Sequence, residues 1–166
     1  MNTHLPADAA LWFLPFVLPI ALWVAYSDMK WMKIHNKAVM ALAAVYLLVG
    51  ILVLPMQVWL WGWVHLGVVL VLGFVLSLTG MLGAGDAKFA AAMAPFIALG
   101  DLSLFLPLLG AMAILALIMH RVARRIQLVR RAVPDWESWE RREFPMGLAL
   151  GPALLFYLII AAIYGY

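Results

Sequence analysis

Six apolar runs alternate with short polar breaks along this chain, and together they read as a series of membrane spans. The first, roughly Ala9 to Tyr26, follows a polar lead that contains Asp8 and no Lys or Arg. Pro15 and Pro19 are expected to kink this helix or delay its regular part, because each removes a backbone donor. The second run covers Ala38 to Leu54 and stops at Pro55-Met56-Gln57. The third, Val58 to Thr79, opens with Trp59, Trp61 and Trp63, indoles that suit a membrane interface. A shorter fourth run, Phe89 to Leu99, is broken by Pro95. The fifth covers Leu102 to Met119 and the last Met146 to Ile163, with a long polar segment, 120–145, between them.

Composition supports the same assignment. Hydrophobic residues make up 67% and charged residues 11% of the chain, against about 25% charged in soluble domains. Such a chain cannot cover itself with polar surface. The expected fold is therefore all-α, a polytopic bundle of six transmembrane helices in one domain, residues 1–166. The polar lead lacks the basic region of a secretory signal, so the first span is expected to be retained. There is no cysteine, which excludes disulfides, a thiolate nucleophile and zinc-thiolate sites.

Charge distribution orients the spans. With six crossings, Lys30, Lys33 and Lys37 fall in the first loop, Lys88 in the third, and all seven Arg residues in the fifth. All eleven basic residues then share one side, which the positive-inside rule makes cytoplasmic, with both termini periplasmic. Nucleic acid is not an expected partner, because these charges are needed for orientation. The Arg-rich segment reads as an interfacial helix on anionic lipid, with substrate docking as the alternative.

Two carboxylates stand out on that side. Gly83-Ala84-Gly85-Asp86-Ala87-Lys88 interrupts the longest apolar tract, and Asp28 closes the first span. Ionisable residues at membrane depth are functional candidates by default. Two glycines before Asp86 allow a tight turn or a close approach to another segment. Parity places Asp28 and Asp86 at one level, where like charge raises one pKa and leaves one group protonated beside one ionised. That is the state an aspartic protease uses. The plainer reading makes each Asp a helix cap or a partner of Lys30 or Lys88. Asp101, on the other side, reads as a loop or cap residue. His65 reads as a buried, hydrogen-bonded residue, His4 and His120 carry no specific signal, and the ten Met residues read as core fillers.

Gly83-Ala84-Gly85-Asp86, with Lys88, resembles the Gly-x-Gly-Asp signature of the prepilin peptidase family of aspartyl peptidases. Asp28 followed by Ile34-His35-Asn36 resembles that family's first catalytic block, with His35 where the family usually has Pro. Phe144-Pro145-Met146-Gly147 through Gly151 is similar to its late Pro-x-Gly segment. The resemblance implies a membrane-embedded aspartyl endopeptidase that removes the leader peptide of type IV prepilins at the cytoplasmic face of the bacterial inner membrane. It implies Asp28 and Asp86 as the catalytic pair, supported by Gly83, Gly85, Lys88, Asn36, Pro145 and Gly147. It implies no metal or organic cofactor, and a prepilin-like membrane protein as substrate. The large Cys-x-x-Cys insertion of bifunctional members is missing, so the chain resembles the short, Flp-type form without a methyltransferase module. Two other classes use the same residues differently. A proton- or cation-coupled transporter would bind its ion at the Asp residues, and an inactive subunit of a pilus assembly complex would not use them.

Overall fold

The computed structural model describes residues 3–141 and 143–166, and its regular elements are helices. They are α1 (Ala7–Trp31), α2 (Asn36–Val53), α3 (Met56–Leu78), α4 (Ala84–Met93), α5 (Leu102–Arg125), α6 (Gln127–Ala132) and α7 (Gly147–Tyr164). Five stretches are long and apolar enough to cross a membrane: α1, α2, α3, Leu99–Arg125 and α7. The chain is a helical membrane protein.

Helix boundaries follow backbone chemistry. Pro6 and Pro55 stand immediately before α1 and α3, where a missing N–H costs nothing. Pro15 and Pro19 lie inside α1 without ending it, so the helix starts earlier than expected and runs through both. It also ends later. Asp28 belongs to its last turn rather than to a loop, and Met32 closes the helix in the left-handed region, its N–H bonded to the Asp28 carbonyl.

The fourth apolar run does not form a spanning helix. α4 stops after ten residues, and 3-10 turns at Ala94–Phe96 and Leu99–Asp101 follow. Pro95 stands at the start of the first 3-10 turn and lacks the N–H that would continue the α-helical ladder. From Asp86 to Asp101 these short pieces still advance on the order of 25–30 Å. They carry the chain from the level of Asp28, beside which Asp86 sits, to the level of His4, which Asp101 binds.

α1 and α7 form the centre of the bundle, packed antiparallel over most of their length. The buried stripe of α1 is Ala10, Phe13, Val17, Ala21, Val24 and Asp28, at helical spacing. Opposite it, Gly147 and Gly151 let the two backbones approach. A methyl group on Gly151 would come 2.8 Å from the Ala21 carbonyl oxygen. Small residues four apart are the usual means of close helix contact in lipid, where hydrophobicity does not drive helices together. α3 fully buries only Gly62 and Gly73 and exposes one long apolar side, as a helix against lipid does.

The end of the bundle away from Asp28 is tied by a polar cluster. Asp101 is buried, and its carboxylate accepts the His4 N–H at 2.9 Å and the Tyr157 hydroxyl at 2.8 Å, with His4 Nδ1 also at 2.8 Å. Tyr157 in turn accepts the Ala98 N–H at 3.2 Å. Asp101 was expected as a loop or cap residue; it stands at the start of α5 but caps nothing, because its oxygens are used by the N-terminal segment. The expectation for His65 is also corrected: its Nε2 is buried without a hydrogen-bond partner among the described residues.

Candidate active site

Asp28 ends the buried face of α1, with 5% of its surface exposed. Its Oδ2 accepts the backbone N–H of Gly147 at 2.6 Å. Gly147 is the first residue of α7, so the carboxylate lies where a helix presents free N–H groups and the positive end of its dipole. The absence of a side chain there is required by packing. A Cβ on Gly147 would stand 2.9 Å from the Asp28 Cβ and 3.0 Å from Val24 Cγ1. Pro145, two residues earlier, is fully buried and does not line the cleft that Asp28 lines.

Asp86 occupies the first turn of α4, three residues after Gly83, the N-cap. Its side chain folds back over Gly83, where an added Cβ would meet Asp86 Oδ2 at 2.5 Å. Gly85 faces Ile34, and its Cβ would stand 3.4 Å from the Ile34 Cβ. Neither glycine has a positive φ; the sharp turn before the motif is made by Gly80, at φ 74°. Of the two roles open to the glycine pair, the structure therefore shows close approach. Asp86 lies outside the five long apolar stretches. Burial, and then the charge of Asp28, push its carboxyl up to about 6, against a smaller opposite effect of the Gly83 N–H.

Both carboxylates line one cleft of about 730 Å³. Gly83, Gly85, Lys88 and Asn36 line it as well, with Asn36 and Lys88 at its exposed margin. Among the described residues neither Asp28 nor Asp86 forms an ion pair. Lys30 instead places Nζ 4.7 Å from the Trp31 ring centre and bonds the Tyr26 hydroxyl. His35 precedes α2 with φ −74° and ψ 135°, a conformation that proline also adopts. The loop shape thus suits either residue.

The cleft also contains residues that sequence reasoning missed: Lys33, Gly80, Met81, Arg141 and Glu143 among them. Gly80 carried the ordinary turn signal of glycine and was passed over for its neighbours. Arg141 and Glu143 carried none beyond lying on the expected side. They reach the cleft because the segment before α7 folds back onto α1. The Trp139 ring stacks on Trp136 at 5.6 Å and on His120 at 5.6 Å, and Trp136 meets Tyr26 of α1 edge to face. This part of the Arg-rich segment is packed against the protein rather than laid out as one interfacial helix.

A membrane bundle with two carboxylates in one cleft defines a class that can activate water between an acid and a base. The sequence matches the type IV leader peptidase family over residues 15–120, a region that contains Asp28 and Asp86 and ends before Gly147. The chain belongs to that family, and is a membrane-embedded peptidase. No curated protein and no solved structure matches it.

Proposed function

We propose that this protein is an aspartyl endopeptidase that cleaves the leader peptide from type IV, Flp-like prepilins at the cytoplasmic face of the bacterial inner membrane. The observation that carries this reading is the cleft: two carboxylates face one space, and neither is neutralised by a basic side chain among the described residues. Asp28, held in place by the Gly147 N–H that it accepts, takes a proton from water. Asp86, whose carboxyl is pushed up to about 6, supplies the proton to the scissile carbonyl oxygen. The resulting tetrahedral species collapses as Asp28 gives its proton to the leaving amine and Asp86 takes one back from the hydroxyl, which restores both carboxyls to their starting states. Gly83, Gly85 and Gly147 keep the two chains close; Lys88 and Asn36 stand at the margin, where substrate enters.

Six crossings complete the reading, with Phe89–Leu99 as a short fourth between the cleft and the Asp101 cluster. The segments that carry Lys and Arg then gather on the cleft side, which is cytoplasmic by the positive-inside rule, and both termini are periplasmic. The whole chain acts as one domain. The deciding experiment is processing of a co-expressed prepilin by Asp28→Asn and Asp86→Asn variants, each of which should accumulate normally and leave the precursor uncut.

A further inference from the structure

A second cavity lies further along α4 from the cleft. It has a volume of about 520 Å³, is walled by Val64 and Val68 of α3 and by Leu106 and Leu109 of α5, and is floored by Ala90 and Met93 of α4. α3 packs on α4 and α5 packs on α7, but the two scarcely meet, so the groove stays open between them. Asp86 faces the cleft and Ala90, one helical turn further on, faces the groove. On α7 Gly147 holds Asp28, and Leu150, three residues on, reaches the groove. The groove therefore lies about one helical turn along α4 from the carboxylate cleft, although the two cavities share no lining residue.

The two cavities differ in polarity. The cleft carries Lys33, Lys88, Arg141 and Glu143 beside the two Asp residues. The groove has one polar side chain, His65, whose Nε2 is buried and without a partner among the described residues. We infer that the groove seats the apolar helix of the precursor, so that the substrate chain leaves the groove just as it reaches Asp86 and Asp28. This rests on the peptidase reading and adds where the uncut part of the substrate lies. A helix about 10 Å across and about 15 Å long occupies about 1,200 Å³, so the cavity accepts the side chains of one face and leaves the rest in lipid. A lipid tail would also fill an apolar groove, but it would not account for the groove lying one helical turn from Asp86.

The test uses a synthetic precursor with a basic leader, a glycine and an apolar helix of about 20 residues, reconstituted in liposomes with the full-length Asp86→Asn protein. A photo-crosslinking residue replaces Val68, Leu106 or, as a control on α2, Leu52, all of them exposed. Precursor adducts should form from positions 68 and 106 at least about tenfold more than from 52. Equal yields at the three positions, or adducts with lipid alone at 68 and 106, would overturn the inference. In an otherwise unaltered enzyme, Val68→Trp and Leu106→Trp should raise KM about tenfold or more with kcat unchanged; an unchanged KM contradicts the groove assignment. Groove adducts without any cleavage by the unaltered enzyme would count against the peptidase reading, whereas cleavage without groove adducts would count against the groove alone.

Discussion

Asp28 and Gly147 are 119 positions apart in the chain, and the carboxylate of one accepts the backbone N–H of the other at 2.6 Å. This bond joins the last turn of α1 to the first turn of α7, and it places a catalytic candidate on the close contact between those two helices. The packing that holds α7 against α1 and the geometry of the cleft are therefore the same feature.

Replacement of Gly147 tests that coupling. The Cβ of Gly147→Ala would press on Asp28 and Val24, and that of Gly151→Ala on the Ala21 carbonyl one turn away. Each should destabilise the protein by about 1–3 kcal/mol through overpacking. Only Gly147→Ala displaces the carboxylate, so it should also lower kcat of the folded fraction by about tenfold or more. Thermal unfolding in detergent and a kinetic assay on purified protein separate the two effects.

The pH dependence follows from Asp86. Its carboxyl keeps its proton to about 6 in the folded protein, against an ordinary 3.8. The stability this confers is fully present below 3.8 and is lost as pH rises through about 6. The protein should thus melt at a higher temperature at about pH 5 than at about pH 8, and Asp86→Asn should shrink that difference. The same proton is the one the acid must supply, so kcat/KM should fall on the alkaline side with a midpoint near about 6.

The candidate residues were legible because their chemistry conflicts with their surroundings. Asp28 and Asp86 stand out in apolar sequence, and Gly83, Gly85, Gly147 and Pro145 lie in short motifs around them. The helix-packing faces were not legible. In a bilayer both sides of α3 or α7 are apolar, so hydropathy cannot separate the buried Leu154 from the exposed Phe156. For the same reason hydropathy could not tell where the run Phe89–Leu99 leaves the α-helix, and only Pro95 hinted that α4 would end early. The partner of Asp101 was equally hidden, since nothing local relates it to His4 or Tyr157.

That distant cluster yields a stability prediction with no catalytic component. Asp101→Ala would leave the N–H of His4 and the hydroxyl of Tyr157 without their acceptor. Tyr157→Phe would remove the acceptor of the Ala98 N–H. A stranded group costs about 1–3 kcal/mol where it is buried, as the Tyr157 hydroxyl is, and less where it is partly exposed, as at His4 and Ala98, so both variants should melt earlier, Asp101→Ala more than Asp101→Asn. The folded fraction of every one should cleave at the unaltered rate, which a melting curve and a processing assay on one preparation establish.

Orientation can be read with single cysteines, because the protein has none of its own. Leu128 in α6 and Tyr166 at the C-terminus are both well exposed. With six crossings, Leu128→Cys is shielded from an impermeant thiol reagent in intact cells and Tyr166→Cys is labelled. Labelling of both, or of neither, would contradict the proposed crossing of Phe89–Leu99.

The central claim is that Asp28 and Asp86 act as one unit on a peptide bond. Asparagine keeps the size of each side chain and removes its ability to exchange a proton. Membranes containing a prepilin and the unaltered protein, Asp28→Asn, Asp86→Asn, the double variant or Asp101→Asn should be compared by gel shift, with enzyme levels matched by immunoblot. Each single change in the pair should lower processing by at least about 1,000-fold, and the double change should add little, since residues acting together are strongly non-additive. Asp101→Asn should process normally. Normal cleavage by well-expressed Asp86→Asn protein would contradict the account.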